Sequence, residues 1–373
     1  MTATLRIVLD QVTSPVDADL STASRELARA LVATAPSGCA VEGVVPAGAD
    51  AEEALDRAVP GLAEVTRLAL PRRELAAAWQ LGVASGAAGG MIHAPTLMAP
   101  LVKHDRVHDH DQTVVTVWDT DAWDVPDELS KTAVLWQRAM LKRAAKHADA
   151  VVVSTHAAAA RVAELAALGD RIRVIPGAAP ERFAVPSDEI GRRRHLGLPE
   201  GCLTVHGSTA PSARLTDAFA AIAHSGTDLP VVVLDTPEGE EPAVVELASA
   251  AGIGEGRVHV RGALEDADRA SVLGATVAFI APAVRTAFPW RLVEALRLGV
   301  PVIAADSPVH REIIVDGGAL ATDAGAEALG EALSLALGST AAVERLAVMS
   351  SDRGRAFSWA GAAERTWQLH ADL

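Results

Sequence analysis

The chain has 373 residues, half of them hydrophobic, which is enough for two domains with a core each. Its 48 acidic and 33 basic residues leave a net charge of −15. That argues against non-specific nucleic-acid binding, which rests on neutralising phosphates, but leaves room for a local basic pocket that holds a diphosphate. Two distant cysteines, Cys39 and Cys202, lack metal-type spacing and fit a reduced, cytoplasmic setting. The N-terminal stretch shows no charged region followed by a long apolar core, so no signal peptide is expected. No run approaches the roughly 18 apolar residues that span a bilayer.

In chain order, residues 5–9 form a short apolar run ending at Asp10, the pattern of a buried strand. A polar loop over 11–21 and an amphipathic helix over 22–34 follow, with Ser21 and Thr22 as N-cap candidates. Strands are predicted over 41–45, 91–93, 114–117, 150–153 and 172–175, and helices over 133–147 and 157–167. After Pro186 a polar, charged stretch with a short helix makes the connection to a second unit. There strands at 203–206, 231–234, 258–261, 277–280 and 302–305 alternate with helices at 216–223, 243–251, 267–274 and 292–298. Helices at 326–337, 341–349 and 357–370 close the chain. Strands alternating with helices imply parallel sheets with crossover helices. The expected fold class is therefore α/β, two Rossmann-like doubly wound domains facing each other across a cleft. The expected divisions are 1–185, 186–352 and a C-terminal helix, 353–373, that packs back on the N-terminal domain.

The most informative stretch is 279–318, which reads strand, loop, helix, strand, loop, helix start. Glu294 stands near the start of its mostly apolar helix, close to the carboxyl ends of parallel strands, where open α/β sheets bind ligands. On its own it is either a ligand carboxylate or an exposed first-turn residue favourable to the helix dipole.

Four stretches taken together resemble glycosyltransferase family 4, of the GT-B fold. They are LRIVLD with the helix ASRELARALV; HAPTLMAP, VVTVWDTDAW and the long helix up to VAEL; RIRVIPGAAPERF; and VHVRGALEDADRASVLGATVAFIAP through FPWRLVEALRLGVPVIAADSPVHREII to GRAFSWAGAAERTWQLH. The resemblance implies retaining, metal-independent transfer of a mannose- or glucose-like hexose from a nucleotide-diphosphate sugar to an acceptor hydroxyl. It implies no cofactor, a donor in the C-terminal domain and an acceptor in the N-terminal domain. The acceptor would be a glycan, lipid or small molecule, in the setting of cell-envelope glycan synthesis. The basic helix face with Lys142, Arg143 and Lys146 reads as a solvated face rather than a membrane contact, and any such contact would be peripheral, at the inner face.

By the resemblance Glu294 matches the second glutamate of a two-glutamate motif that grips the ribose. Thr286 stands where the first glutamate belongs, Phe288 retains the motif aromatic, and Pro289 replaces a glycine and removes an N–H donor. Arg214 follows the first strand of the second domain, together with Ser208, where the family carries an Arg and a Lys; it is either a phosphate fork or a solvated loop residue. Arg285 and Arg291 flank the sugar end. In the N-terminal domain Trp118 and Asp119 stand at a His-Asp position, with Asp121 close by, and His93 lies at a strand end as a candidate acceptor ligand. The loop SPVDADLST lacks the family's glycines. The run KHDRVHDHDQ, 103–112, reads as a solvated loop rather than a metal site, since consecutive residues do not converge on one ion. These losses in one cleft raise a second reading: a catalytically degenerate protein that binds or scaffolds a partner glycosyltransferase. A dinucleotide-dependent oxidoreductase is disfavoured, because no G-x-G-x-x-G follows either first strand.

Overall fold

A computed structural model describes residues 3–48, 51–87 and 89–373. The chain divides into two compact units, residues 1–181 with 358–373, and residues 182–357. The sequence reading put these divisions at 185/186 and 352/353.

The first unit carries a seven-stranded parallel sheet. Its strands are β1 (Ala3–Val8), β2 (Cys39–Val45), β3 (Glu64–Arg67), β4 (Met91–Ala94), β5 (Gln112–Val117), β6 (Ala150–Val153) and β7 (Ile172–Val174), in the order β3-β2-β1-β4-β5-β6-β7. Every residue of β5 and β6 is buried, as expected for central strands covered on both faces. On one face Ile92, Ala94, Val115, Val117, Val151 and Val153 pack against Leu75, Trp79, Met140, Leu141 and Val162 from three helices. Elsewhere in the unit helix Ala18–Ala33 packs against the C-terminal helix Trp359–Asp372. Two indoles fasten that last helix: Trp359 Nε1 donates to the Ala179 carbonyl at 3.0 Å and Trp367 Nε1 to that of Leu31 at 3.2 Å.

The second unit carries β8 (Cys202–His206), β9 (Val231–Leu234), β10 (Val258–Val260), β11 (Thr276–Ala281), β12 (Val302–Ala304) and β13 (Ala319–Leu320), in the order β10-β9-β8-β11-β12-β13, all parallel. Its core joins Leu203, Val205, Val231, Val233, Ala278 and Ile280 to Phe219, Ile222, Leu329 and Leu333 from flanking helices. After helix Trp290–Arg297 the chain turns at Gly299, whose φ of +71° lies in the left-handed region. The turn is closed by bonds from the amides of Gly299 and Val300 to the carbonyls of Leu296 and Ala295.

Two edge strands, β3 and β13, escape the sequence reading. None of their residues is buried, so neither carries the apolar run that marks an inner strand. The cap of the first long helix is also corrected. The helix begins at Ala18, and Asp17 accepts the Leu20 N–H at 2.8 Å, so Ser21 and Thr22 lie inside the helix.

Candidate functional site

In each sheet the strand order reverses once, between β1 and β4 in the first and between β8 and β11 in the second. At such a switch point neighbouring strands send their following loops to opposite sides, leaving a crevice at their carboxyl ends where ligands bind. In the second unit the loop after β8 carries Ser208 and Arg214. The segment after β11 carries Arg285, Thr286 and Phe288, then Arg291 and Glu294 on helix Trp290–Arg297. The nucleotide-side candidates therefore all lie on the two segments that flank this switch point.

Glu294 is 3% exposed, so it is not the solvated first-turn residue of the simpler reading. Arg269 grips it bidentately, Nε donating to Oε2 at 2.8 Å and Nη2 to Oε1 at 2.9 Å. Arg291 adds a third bond, Nη1 to Oε1 at 3.1 Å, and donates Nε to Asp235 Oδ2 at 2.6 Å. Arg269 also binds Asp266 at 2.8 Å and the Leu264 carbonyl at 2.7 Å, and its guanidinium lies 5.4 Å from the centre of the Phe183 ring. Burial is the strongest single influence and works against the Arg269 charge, but the attraction and hydrogen bonds of Glu294, together with the attraction of Asp266, outweigh it, and the group is held above its ordinary value. The result is a buried network with alternating signs, in which Glu294 has a fixed orientation. A ligand hydroxyl that reaches this carboxylate shares it with two arginines.

His206, at the end of β8, stacks on Phe279 of β11 with ring centres 6.0 Å apart. Burial lowers its pKa to about 4; Asp235 pulls the other way, and Arg291, Arg285 and His310 push further down. Burial thus favours the neutral His206 ring, which lies near the Asp235, Arg291 and Arg285 charges. His310 Nδ1 lies 2.7 Å from the Ala305 carbonyl, and since a carbonyl only accepts, that nitrogen carries the hydrogen and donates it.

Arg214 adopts a left-handed conformation, φ +53°, and is not a solvated loop residue. Its guanidinium is engaged by Asp217 at 2.7 Å and by the carbonyls of Pro282 at 3.4 Å and Ala324 at 2.6 Å, so it ties together the loops around the switch point. The Ser208 hydroxyl oxygen accepts the Ala210 N–H at 3.2 Å. Thr286 is half-buried in its loop, and Phe288 is buried edge-to-face on Trp290, 4.6 Å between centres. Asp235, Arg269, His206 and His310 went unread in the sequence. Asp235 and His206 had a usable signal, a polar residue closing an apolar strand run. Arg269 had none, being one arginine among many on helix faces.

In the first unit Trp118 is buried, donates Nε1 to the Pro95 carbonyl at 2.8 Å and meets Trp359 edge-on at 6.5 Å. Asp119 Oδ1 accepts the Asp121 N–H at 3.1 Å, a bond that shapes the turn into helix Asp121–Asp124. Asp10, just after β1, is buried against Arg72 at 2.8 Å; burial pushes its carboxyl up against the pull of that arginine. His93, on β4, is 1% exposed; its Nδ1 lies 3.3 Å from His370 Nε2, and burial holds it well below the ordinary histidine range. The structure thus brings Trp118 toward the C-terminal helix through Trp359 and His93 through His370, while Asp119 sits in its own turn.

The histidine-aspartate run does not converge. His104 Nε2 pairs with Asp149 at 2.7 Å, His108 with Asp105 at 2.8 Å, and Asp111 accepts the Gly90 N–H at 2.6 Å. Among the described residues no three His, Cys, Asp or Glu side chains are grouped to hold a metal ion. Nor, among them, is any single helix long and apolar enough to cross a membrane.

Residues 212–350, which hold most of the second unit's cluster, match the family described as glycosyl transferases group 1. No curated protein sequence matches the chain. Its fold is that of the GT-B glycosyltransferases. Alr3699/HepE of Anabaena, solved with UDP and glucose, is similar over 100% of both chains, with a TM-score of 0.73 at 17% identity. The sucrose-phosphate synthase of Thermosynechococcus elongatus aligns over 99% of this chain and 98% of its own, with a TM-score of 0.69 at 18% identity. WaaG, a glycosyltransferase involved in lipopolysaccharide biosynthesis, aligns over 97% and 98%, with a TM-score of 0.66 at 15% identity.

Proposed function

We propose that the protein is a glycosyltransferase, a divergent member of family 4, that moves a glucose- or mannose-like hexose from a nucleotide-diphosphate sugar to an acceptor hydroxyl. The observation that carries this reading is the arginine-ringed Glu294 at the switch point of the second sheet, inside the segment that matches the family. The carboxylate offers an acceptor for ribose hydroxyls. Arg285 and Arg291 supply positive charge where a departing diphosphate gains negative charge, and in a buried setting fixed charges act strongly on a transition state. The reading is supported by the UDP and UDP-glucose bound to the Anabaena protein. Retention of configuration, independence from metals and cofactors, a glycan, lipid or small-molecule acceptor, and a cytoplasmic place with at most peripheral contact at the membrane's inner face complete the proposal.

Calorimetric titration with UDP-glucose and GDP-mannose tests it. Saturable binding is expected for one of them, weakened at least tenfold in Glu294→Gln, a loss of about 1.4 kcal/mol. Absence of binding to either at millimolar concentration sinks the proposal.

A second reading rests on a specific observation: the Arg214 guanidinium is already bound to Asp217 and two carbonyls, and Thr286 and Pro289 replace motif residues. On that reading the chain binds a nucleotide sugar or a partner glycosyltransferase without catalysing transfer. Release of UDP or GDP from a bound donor by the purified chain alone, dependent on added acceptor, would eliminate it.

A further inference from the structure

The layer of the first unit that holds the C-terminal helix contains a hydrogen-bond chain whose proton positions follow from the chemistry of its members. Gln112 opens β5, where it pairs in register with Met91 of β4, two residues before His93. Its Nε2 donates to the His370 main-chain carbonyl at 3.2 Å, because a carbonyl only accepts. The other amide atom, Oε1, therefore faces His370 Nδ1 at 2.9 Å, and since Oε1 accepts, that Nδ1 carries a hydrogen. In a neutral ring the remaining nitrogen is bare. His370 is neutral: burial lowers its pKa to about 4, against a contrary pull from Asp149. Its bare Nε2 lies 3.3 Å from His93 Nδ1, which must be the donor. His93 then has its own hydrogen on Nδ1 and a lone pair on Nε2. That Nε2 is buried and has no hydrogen-bond partner.

A buried acceptor without a donor costs free energy on the order of 1–3 kcal/mol, so a chain of three residues that leaves one such atom at its end points to a donor from outside the protein. We infer that Gln112 and His370 are positioning residues that hold His93 in the Nδ1–H form, so that its Nε2 accepts the hydrogen of a sugar-acceptor hydroxyl. The ligand class follows from the geometry: a neutral O–H group meets a single bare lone pair, whereas a cation would lie against a second imidazole with no carboxylate bonded to the pair. A buried water offers the same O–H chemistry and is the competing occupant. The assignment of the hydroxyl to a sugar rests on the transferase reading; the assignment of the proton positions does not.

Ring-nitrogen NMR of the 15N-histidine-labelled full chain tests both parts. In the wild type His93 is expected to show one protonated and one bare nitrogen, with Nε2 the bare one, and saturating D-glucose is expected to shift the Nε2 resonance. In His370→Leu the single-tautomer pattern is lost and the affinity for glucose falls by up to about tenfold, the worth of one neutral hydrogen bond. His370→Gln keeps a side-chain oxygen that can accept from His93 Nδ1, so it retains the His93 tautomer and controls for a fold disturbed by the leucine. A protonated Nε2 in the wild type, or a His93 pattern indifferent to His370→Leu, overturns the relay. The expected tautomer with no response to glucose means a held water, and overturns the acceptor assignment. UDP-glucose titration of the same samples keeps the two readings apart: a chain that binds no donor but shows the tautomer loses the transferase reading alone.

Discussion

In the first unit the buried polar groups of the β4 layer are neutral: two imidazoles and an amide joined end to end, leaving one lone pair. In the second unit a cluster of ions lies past β9, β10 and β11, with Glu294 held by Arg269 and Arg291 and Asp235 by Arg291. The two sheets share a plan, parallel strands with one reversal of order, yet these two clusters bury polarity by different physics. A neutral chain avoids most of the desolvation cost of charge and can offer a weak, directional acceptor. An ionic cluster needs every partner in place, because an unpaired charge in a low-dielectric interior is expensive, and it creates a strong local field. On the proposed function the first arrangement would orient a hydroxyl and the second would hold a diphosphate.

The ionic cluster is most vulnerable at Glu294. Glu294→Leu leaves two buried guanidinium groups short of a partner and is expected to cost about 3–5 kcal/mol in urea unfolding. Adding Arg269→Met should return part of that loss. If the single and double variants are equally unstable, the cluster is not held together by charge pairing.

Acid separates the two units by a different route. His370 in one and His206 in the other each have a folded pKa of about 4 against an ordinary 6.5. For a lowered folded pKa the contribution to stability is complete above 6.5 and is lost as pH falls toward 4. Stability is therefore expected to fall by on the order of 2–3 kcal/mol per group across that window. His370→Gln should flatten the slope contributed by the first unit and His206→Gln that of the second, as read from unfolding midpoints between about pH 4 and 7. An unchanged slope in either variant shows that its histidine is already charged in the folded state.

A steric variant sharpens the ionic side without touching a charge. A side-chain carbon on Gly354 would stand 2.4 Å from the Leu296 carbonyl oxygen, on the helix that carries Glu294. Gly354→Ala should cost about 1–3 kcal/mol and weaken donor binding together with stability. Stability lost with donor affinity intact would separate the helix position from the site. The smallest effect is expected at Asp17, whose side chain caps the first long helix. Asp17→Ala should lower thermal stability by about 1 kcal/mol and leave donor binding unchanged, since the lost bond is local to that helix start.

The two alternating strand-helix units were legible in the amino-acid pattern. A buried parallel strand needs a short apolar run such as Ala150–Val153 or Val231–Leu234, and both were legible. The pattern also placed the candidate nucleotide residues on the two segments that turned out to flank one switch point. Two of the four edge strands, β3 and β13, stayed hidden because an exposed edge needs no apolar pattern. Only the tertiary structure decided what Glu294 does at rest, since its partner Arg269 is 25 residues away on another helix. The same holds for His93, whose tautomer depends on His370, 277 residues along the chain. Local pattern reports which residues must leave water. Which polar group meets which, and so which charges survive and which lone pairs remain, is settled by packing between elements remote in sequence, because a buried polar group must find its partner wherever the fold brings one.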